Sequence, residues 1–222
     1  MYMTSLVDFL SGYDQMGLAK HCRDMTAFMT PIGLLRQTTL PQGATNSVAQ
    51  FVRIVTKILE DLIPHICLPF VDDVGVKGPK TDYGGEESAP GIRRFVLEHI
   101  INLDRTLADL ERAGCTVSGE KCQFCMPGMK VVGYVCDSEG RHPESAKVEK
   151  VVKWKPCSST KDLKAFLGLC VYYRIWISKF SIRAGPLYKL LKKGVVFKWI
   201  PEIHDPIMED LKSALVSAPA LV

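Results

Sequence analysis

Apolar positions along the chain fall into two textures. Short strand-like runs interleave with amphipathic stretches up to about residue 141, and helical periodicity alone follows from Pro143. Leu6-Val7-Asp8-Phe9-Leu10 predicts a short buried strand that carries one carboxylate and is closed by Ser11-Gly12. Residues 27–40, with turn residues Pro31 and Gly33, predict a hairpin, and Pro41-Gln42-Gly43 a loop. Capped by Thr45 or Asn46, a helix is predicted in which Val48, Phe51, Val52, Val55, Ile58, Leu59 and Leu62 recur at helical spacing until Pro64. Two apolar strands, 66–70 and 74–76, are joined through Asp72-Asp73, and a Gly-, Pro- and acid-rich loop is predicted over 78–91. A second helix shows Ile92, Val96, His99, Leu103, Leu107 and Leu110 on one face and ends at Gly114. Short strands are predicted at 116–117, 123–126 and 130–136. Beyond Pro143, Ser159-x-x-Asp162 has the form of a capping box ahead of Leu163, Phe166, Leu167, Cys170, Arg174 and Ile177. Two further helical patterns lie around 187–191 and 207–215. The expected division is therefore 1–141 and 142–222.

Composition sharpens that division. Lys and Arg number 28 against 24 Asp and Glu, a net charge of +4. Residues 1–140 hold 13 Lys/Arg and 17 Asp/Glu, whereas 141–222 hold 15 and 7, so net charges of −4 and +8 add to the total. A basic half of this kind suits either a polyanion partner or a solvated lysine-rich helical face. With 47% hydrophobic residues the chain can bury a core, yet no apolar run approaches the roughly 20 residues needed to cross a bilayer. No membrane partner is expected. Eight cysteines without a scaffold-like spacing or a visible secretory signal are expected to be reduced thiols, in an intracellular, reducing compartment.

The chemistry lies in the carboxylates. Adjacent Asp72 and Asp73 repel each other and resist desolvation unless a cation neutralises them. A tight turn between two strands would present both as hard oxygen ligands for Mg²⁺, with Asp8 as a third if its strand lies alongside. Three such groups would suit two-metal phosphoryl transfer. Taken alone, an Asp-Asp pair is more often a solvated turn. Other candidates are weaker. Cys122-x-x-Cys125 with Cys136 and His142 lacks the tight second pair of a zinc site, and no basic cluster marks a thiol nucleophile. The five histidines are dispersed, and no G-x-x-x-x-G-K phosphate loop is present. Tyr172, Tyr173 and Trp176 read as helical core rather than as a platform for bases.

The order of motifs carries a resemblance. Val7-Asp8-Phe9-Leu10-Ser11-Gly12-Tyr13-Asp14-Gln15 resembles the first catalytic motif of Ty3/gypsy-type retrotransposon reverse transcriptases. Leu40-Pro41-Gln42-Gly43-Ala44-Thr45-Asn46-Ser47 resembles their template-gripping loop and helix, and Phe70-Val71-Asp72-Asp73 their [YF]-x-D-D turn. Glu120-Lys121-Cys122-Gln123-Phe124 and Val132-Gly133-Tyr134-Val135 are similar to the strand and primer-grip hairpin that follow. Residues 164–174, ending Tyr172-Tyr173-Arg174, resemble the thumb segment FLG-x-x-x-YYR, and the pattern continues through Phe197-x-Trp199. Phe70 stands in place of the commoner tyrosine and Asp14 where many relatives have histidine.

The resemblance implies an α+β fold, a palm with an antiparallel sheet and packed helices over 1–141 followed by an all-helical basic thumb over 142–222. The family's fingers and RNase H regions are expected to lie outside this chain. The implied activity is RNA-directed DNA polymerisation, with Asp8, Asp72 and Asp73 as catalytic, metal-binding residues for two Mg²⁺ ions, Mn²⁺ being able to substitute. Tyr13 would be the steric gate against a ribose 2′-hydroxyl, Gln42 and Phe9 would contact the incoming nucleotide, and Gly133 and Tyr134 would hold the primer terminus. The implied partners are an RNA or DNA template with a DNA primer, dNTPs, and the RNase H and integrase regions of a polyprotein. An inactive retroelement remnant that at most binds nucleic acid, and a host protein reusing the fold to bind RNA, are the competing readings.

Overall fold

β1 (Thr4–Asp8) is buried on both faces: Thr4, Ser5 and Val7 are fully enclosed and Leu6 nearly so. That burial, which takes in the hydroxyls of Thr4 and Ser5 as well as Leu6 and Val7, fixes the strand inside a sheet. The computed structural model describes residues 2–221 and divides into two compact units, Met1–Val131 and Val132–Val222.

In the first unit β1 is followed by a short hairpin, β2 (Phe28–Thr30) and β3 (Gly33–Leu35), and by helix α1 (Ser47–Ile58). β4 (Cys67–Phe70) and β5 (Asp73–Lys77) come next, then β6 (Glu87–Ala89) paired with β7 (Ile92–Arg93), helix α2 (Arg94–Arg112), β8 (Gln123–Met126) and β9 (Met129–Val131). One four-stranded antiparallel sheet has the order β4-β5-β1-β8. α1 turns Phe51 and Val55 inward, continued by Leu59 and Leu62, against Val7, Phe9, Val74 and Val76. Of the stripe read from the sequence these four are covered, whereas Val48 and Val52 are exposed and Ile58 is only partly covered.

The structure corrects several local expectations. The 78–91 stretch contains β6, and Ile92 belongs to β7 rather than to the helix. α2 buries Phe95, His99, Thr106 and Leu110, while Leu103 and Leu107 are only partly covered. The single strand expected over 130–136 is broken at Val132 and Gly133, both with positive φ, and Val117 makes one bridge to Phe9 instead of a strand.

His99 is fully buried, with Nε2 2.8 Å from the Ser5 hydroxyl. Burial pushes its pKa below the ordinary 6.5, and a backbone interaction with Lys77 offsets only part of that. The unfolded chain therefore takes up a proton that the folded chain resists. Stability is full above pH 6.5 and declines as pH falls below it. Urea unfolding of the wild type and of His99→Gln between pH 5 and 7.5 is expected to show this decline in the wild type and a flatter profile in the variant.

The second unit opens with the hairpin β10 (Tyr134–Cys136) and β11 (Arg141–Pro143). Helices α3 (Ser145–Val152), α4 (Thr160–Tyr172), α5 (Phe180–Lys189) and α6 (Pro201–Val216) follow. The Ser159 hydroxyl accepts from the Asp162 N–H at 3.1 Å and caps α4. Leu163, Phe166, Leu167, Cys170 and Tyr173 form the centre of the helical core with Leu187, Met208, Leu211 and Leu215. Arg183 of α5 grips both carboxylate oxygens of Asp210 on α6, at 2.6 and 2.7 Å. The first unit ends at Val131, ten residues before the change of texture in the sequence, because the β10–β11 hairpin packs with the helices: Tyr134 lies against their core.

All eight cysteines are free thiols. Burial pushes Cys67 and Cys157 up to about 11 and Cys170 to about 12. These three are inert core groups rather than nucleophiles.

Candidate active site

The pairing of β1 with β5 sets Asp8 opposite Asp73, and the pairing of β4 with β5 sets Phe70 opposite Asp73. Val71 and Asp72 are therefore the two loop residues of a tight hairpin whose end lies beside the end of β1. The Phe9 N–H donates to the Asp72 carbonyl at 3.1 Å and locks the turn to β1. Val71 sits at φ 56°, where a two-residue hairpin favours glycine and a β-branched residue costs about 1–3 kcal/mol. Such strain persists only where the surroundings hold it.

Three carboxylates thus meet at one end of the sheet. Asp72 is exposed, and Asp8 and Asp73 are half-buried. Burial raises the Asp73 pKa above its ordinary value, the Asp72 and Asp8 charges raise it further, and Lys121 counters them in part. Asp8 Oδ1 is buried without a hydrogen-bond donor, and the Lys121 ammonium stands 3.3 Å away as a counter-charge. A carboxylate oxygen without a hydrogen bond, beside two further carboxylates and balanced by one lysine, has the chemistry of a hard-cation ligand. Among the described residues, no group of three or more His, Cys, Asp or Glu side chains stands placed to hold a metal ion.

A cavity of about 240 Å³ opens beside these groups, lined by Phe9, Ser11, Gly12, Tyr13, Asp14, Gln42, Asp72 and Lys121. It brings together four of the residues singled out from the sequence: Phe9, Tyr13, Gln42 and Asp72. The Tyr13 ring stacks on Phe51 at 4.8 Å, and Phe9 meets the same ring edge-on at 5.5 Å. Gly12 is required there, because a Cβ would fall 2.8 Å from the Phe51 ring. Gln42 is held on its loop by the Ser47 hydroxyl, which donates to the Pro41 carbonyl at the start of α1. Gly133 and Tyr134 belong to the second unit, where Gly133 has φ 76° and Tyr134 begins β10.

Three contributors have no role assigned from the sequence, although Gln15 and Lys121 lie within motifs that carry the resemblance. Lys121 lies 113 positions from the carboxylate it faces. The Gln15 amide donates to the Leu10 and Thr116 carbonyls, and its oxygen accepts from the Thr116 N–H at 2.7 Å, tying the loop after β1 to the 116–118 segment. Phe51 reads as one core residue among several, and its position under Tyr13 follows only from packing.

Residues 2–136 match the family described as reverse transcriptase (RNA-dependent DNA polymerase). The chain is 29% identical over 215 residues to the Transposon Tf2-3 and Tf2-4 polyproteins of Schizosaccharomyces pombe, spanning 97% of its own length and 15% of theirs. Its structure is similar to that of the foamy viral protease-reverse transcriptase in complex with an RNA/DNA hybrid, at TM-score 0.81 and 27% identity, over 99% of this chain and 28% of that one. It is also similar to the dRH form of that protein in complex with double-stranded DNA, at TM-score 0.84 and 27% identity, over 100% and 36%. The shared architecture is a palm with an antiparallel sheet and a helical thumb. Matched proteins of this family are generally dependent on a divalent metal.

Proposed function

Because the chain belongs to the reverse transcriptase family, we propose that it is the part of a retrotransposon polyprotein that carries out RNA-directed DNA synthesis. The observation that carries the reading is the strand register that sets Asp8 against Asp73 with Asp72 at the adjoining turn. Primer extension attaches an incoming dNTP through in-line attack of the primer 3′-hydroxyl on the α-phosphorus, with pyrophosphate leaving. Two divalent ions, Mg²⁺ or Mn²⁺, would stabilise the attacking and leaving oxygens when bound. Asp8, Asp72 and Asp73 would hold them, the remaining ligands being nucleotide phosphate and water oxygens, as is usual for Mg²⁺ at polymerase sites.

The chain's own residues do the rest. Tyr13, backed by Phe51, sets a wall at the cavity where a ribose 2′-hydroxyl would sit. Gln42 reaches the sugar and phosphates of the nucleotide from the opposite loop, with Phe9 beneath. Lys121 balances negative charge beside Asp8. Gly133 and Tyr134 hold the primer terminus, and the basic helices of the second unit follow the template–primer backbone through sequence-independent charge contacts. RNase H and integrase regions would be further parts of the same polyprotein.

The test is extension of oligo(dT) on poly(rA) with Mg²⁺ or Mn²⁺, comparing the chain with Asp72→Asn/Asp73→Asn. Extension by the wild type that the double variant lacks is expected. If neither extends while both bind the duplex equally, this chain is a nucleic-acid-binding remnant and the catalytic reading is wrong for it.

A further inference from the structure

The segment just before β10 has two successive residues with left-handed backbone, Val132 at φ 48° and Gly133 at φ 76°. A valine in that region is strained and persists only where its surroundings hold it. Two consecutive tyrosines at the end of α4 and just beyond it supply the hold. The Tyr172 hydroxyl donates to the Val132 carbonyl, and the Tyr173 hydroxyl donates to the Gly133 carbonyl at 2.9 Å. In return the Tyr134 hydroxyl donates to the Tyr172 carbonyl at 3.3 Å, and its ring lies on the Tyr172 ring, centroids 5.1 Å apart and planes within 5°. The Lys147 ammonium covers the Tyr172 ring at 5.4 Å. A Cβ on Gly133 would run into the Lys147 ammonium and come within 3.0 Å of the Tyr172 hydroxyl oxygen, so the turn is closed against both side chains.

Packing alone does not call for this arrangement. Tyr173 is fully buried in the helical core, a place a phenylalanine ring would fill equally well. Two hydroxyls aimed at successive carbonyls of a strained turn add a restraint on where the turn sits. Tyr173 is anchored by the core, so that restraint transmits the position of α4 to the turn.

We propose that Tyr172 and Tyr173 are positioning residues for the primer terminus: their hydroxyls fix the Val132–Gly133 turn and thereby the place where Gly133 and Tyr134 meet the last primer nucleotide. This rests on the reading of Gly133 and Tyr134 as primer-holding residues.

The experiment uses the whole chain and two RNA–DNA duplexes, one with 2-aminopurine as the primer's 3′-terminal base and one with the probe well inside the primer. Fluorescence on binding, duplex affinity, thermal midpoint and extension kinetics are measured for the wild type, Tyr172→Phe and Tyr172→Phe/Tyr173→Phe. The wild type is expected to change the terminal probe's signal. The double variant is expected to lose that change while keeping duplex affinity, and its kcat to fall about ten- to a hundredfold, the scale of a misplacement near 1 Å. Tyr172→Phe leaves the buried core untouched and is expected to lose part of the terminal signal, so it decides the matter if the double variant fails to fold. A terminal signal and kcat retained in the variants, with only the thermal midpoint lowered, would make the tyrosines core residues and overturn the proposal. If the wild type binds the duplex but leaves the terminal probe unchanged, the primer-holding reading of Gly133 and Tyr134 fails, and the proposal fails with it.

Discussion

Asp73→Asn is expected to remove primer extension and to make the metal-free chain more stable. The two effects share one cause. Asp73 is half-buried next to Asp8 and Asp72, and its carboxyl keeps its proton to higher pH when folded than when unfolded. With the folded pKa raised, the folded chain binds more protons than the unfolded one just above the ordinary carboxylate range. Stability is therefore lost as pH rises through that range, and near neutrality the ionised group opposes folding. An amide of the same shape removes the opposition. A gain of about 1 kcal/mol, or roughly 2–4 °C for a chain of this size, is the scale of such a relief. Activity goes the other way. If Asp73 holds a metal as proposed, its loss is expected to remove on the order of 4 kcal/mol of transition-state stabilisation, about a thousandfold in rate. Thermal unfolding with and without Mg²⁺ separates the contributions: the ion is expected to raise the midpoint of the wild type and to do little for the variant. A variant both less stable and inactive would mean that Asp73 serves the fold.

Phe51→Ala is expected to give the largest loss of stability of any substitution near the cavity. The ring is fully buried and meets Phe9, Tyr13 and Gly12 at once. Truncation of such a ring costs about 3–5 kcal/mol, part of it for the hole left behind. That is a large share of the 5–15 kcal/mol typical of a folded domain. The milder Phe51→Leu keeps most of the volume, so it is the variant in which function can be read. With the stacking support of Tyr13 gone, discrimination against ribonucleotides is expected to fall about tenfold, the scale of one pocket contact. Urea unfolding reads the first variant. Paired incorporation of dNTPs and rNTPs reads the second. Unchanged discrimination in Phe51→Leu would show that Tyr13 keeps its place without Phe51 or is not the gate.

The two predictions probe one design. The carboxylates sit on the sheet and the cavity wall sits on the loop after β1, and α1 is the element that supports both. Phe51 reaches the loop while Val55 and Leu59 pack with the sheet's Val7 and Val74. A loss at Phe51 is therefore expected to reach the loop before it reaches the carboxylates.

Sequence alone settles which stretches become strands and helices wherever one face repeats cleanly. The stripe through Phe51, Val55, Leu59 and Leu62 is a local pattern whose burial follows from its own period, and the capped start of α4 follows from the Ser159-x-x-Asp162 spacing. Sequence also settles the order of motifs by which the family is recognised. Local pattern could not decide where burial is shared between distant segments. The helical face of α2 centres on Phe95 and Thr106 because the sheet dictates which side is covered. The break at Val132–Gly133 needs hydroxyls from 40 residues away to hold it. Lys121 faces Asp8 only because β1 and the segment leading into β8 come together. Register is a long-range property: a one-residue slip would turn every side chain of β1 to the opposite face. The placement of Asp8 opposite Asp73, on which the proposed chemistry rests, thus follows from the assembled sheet.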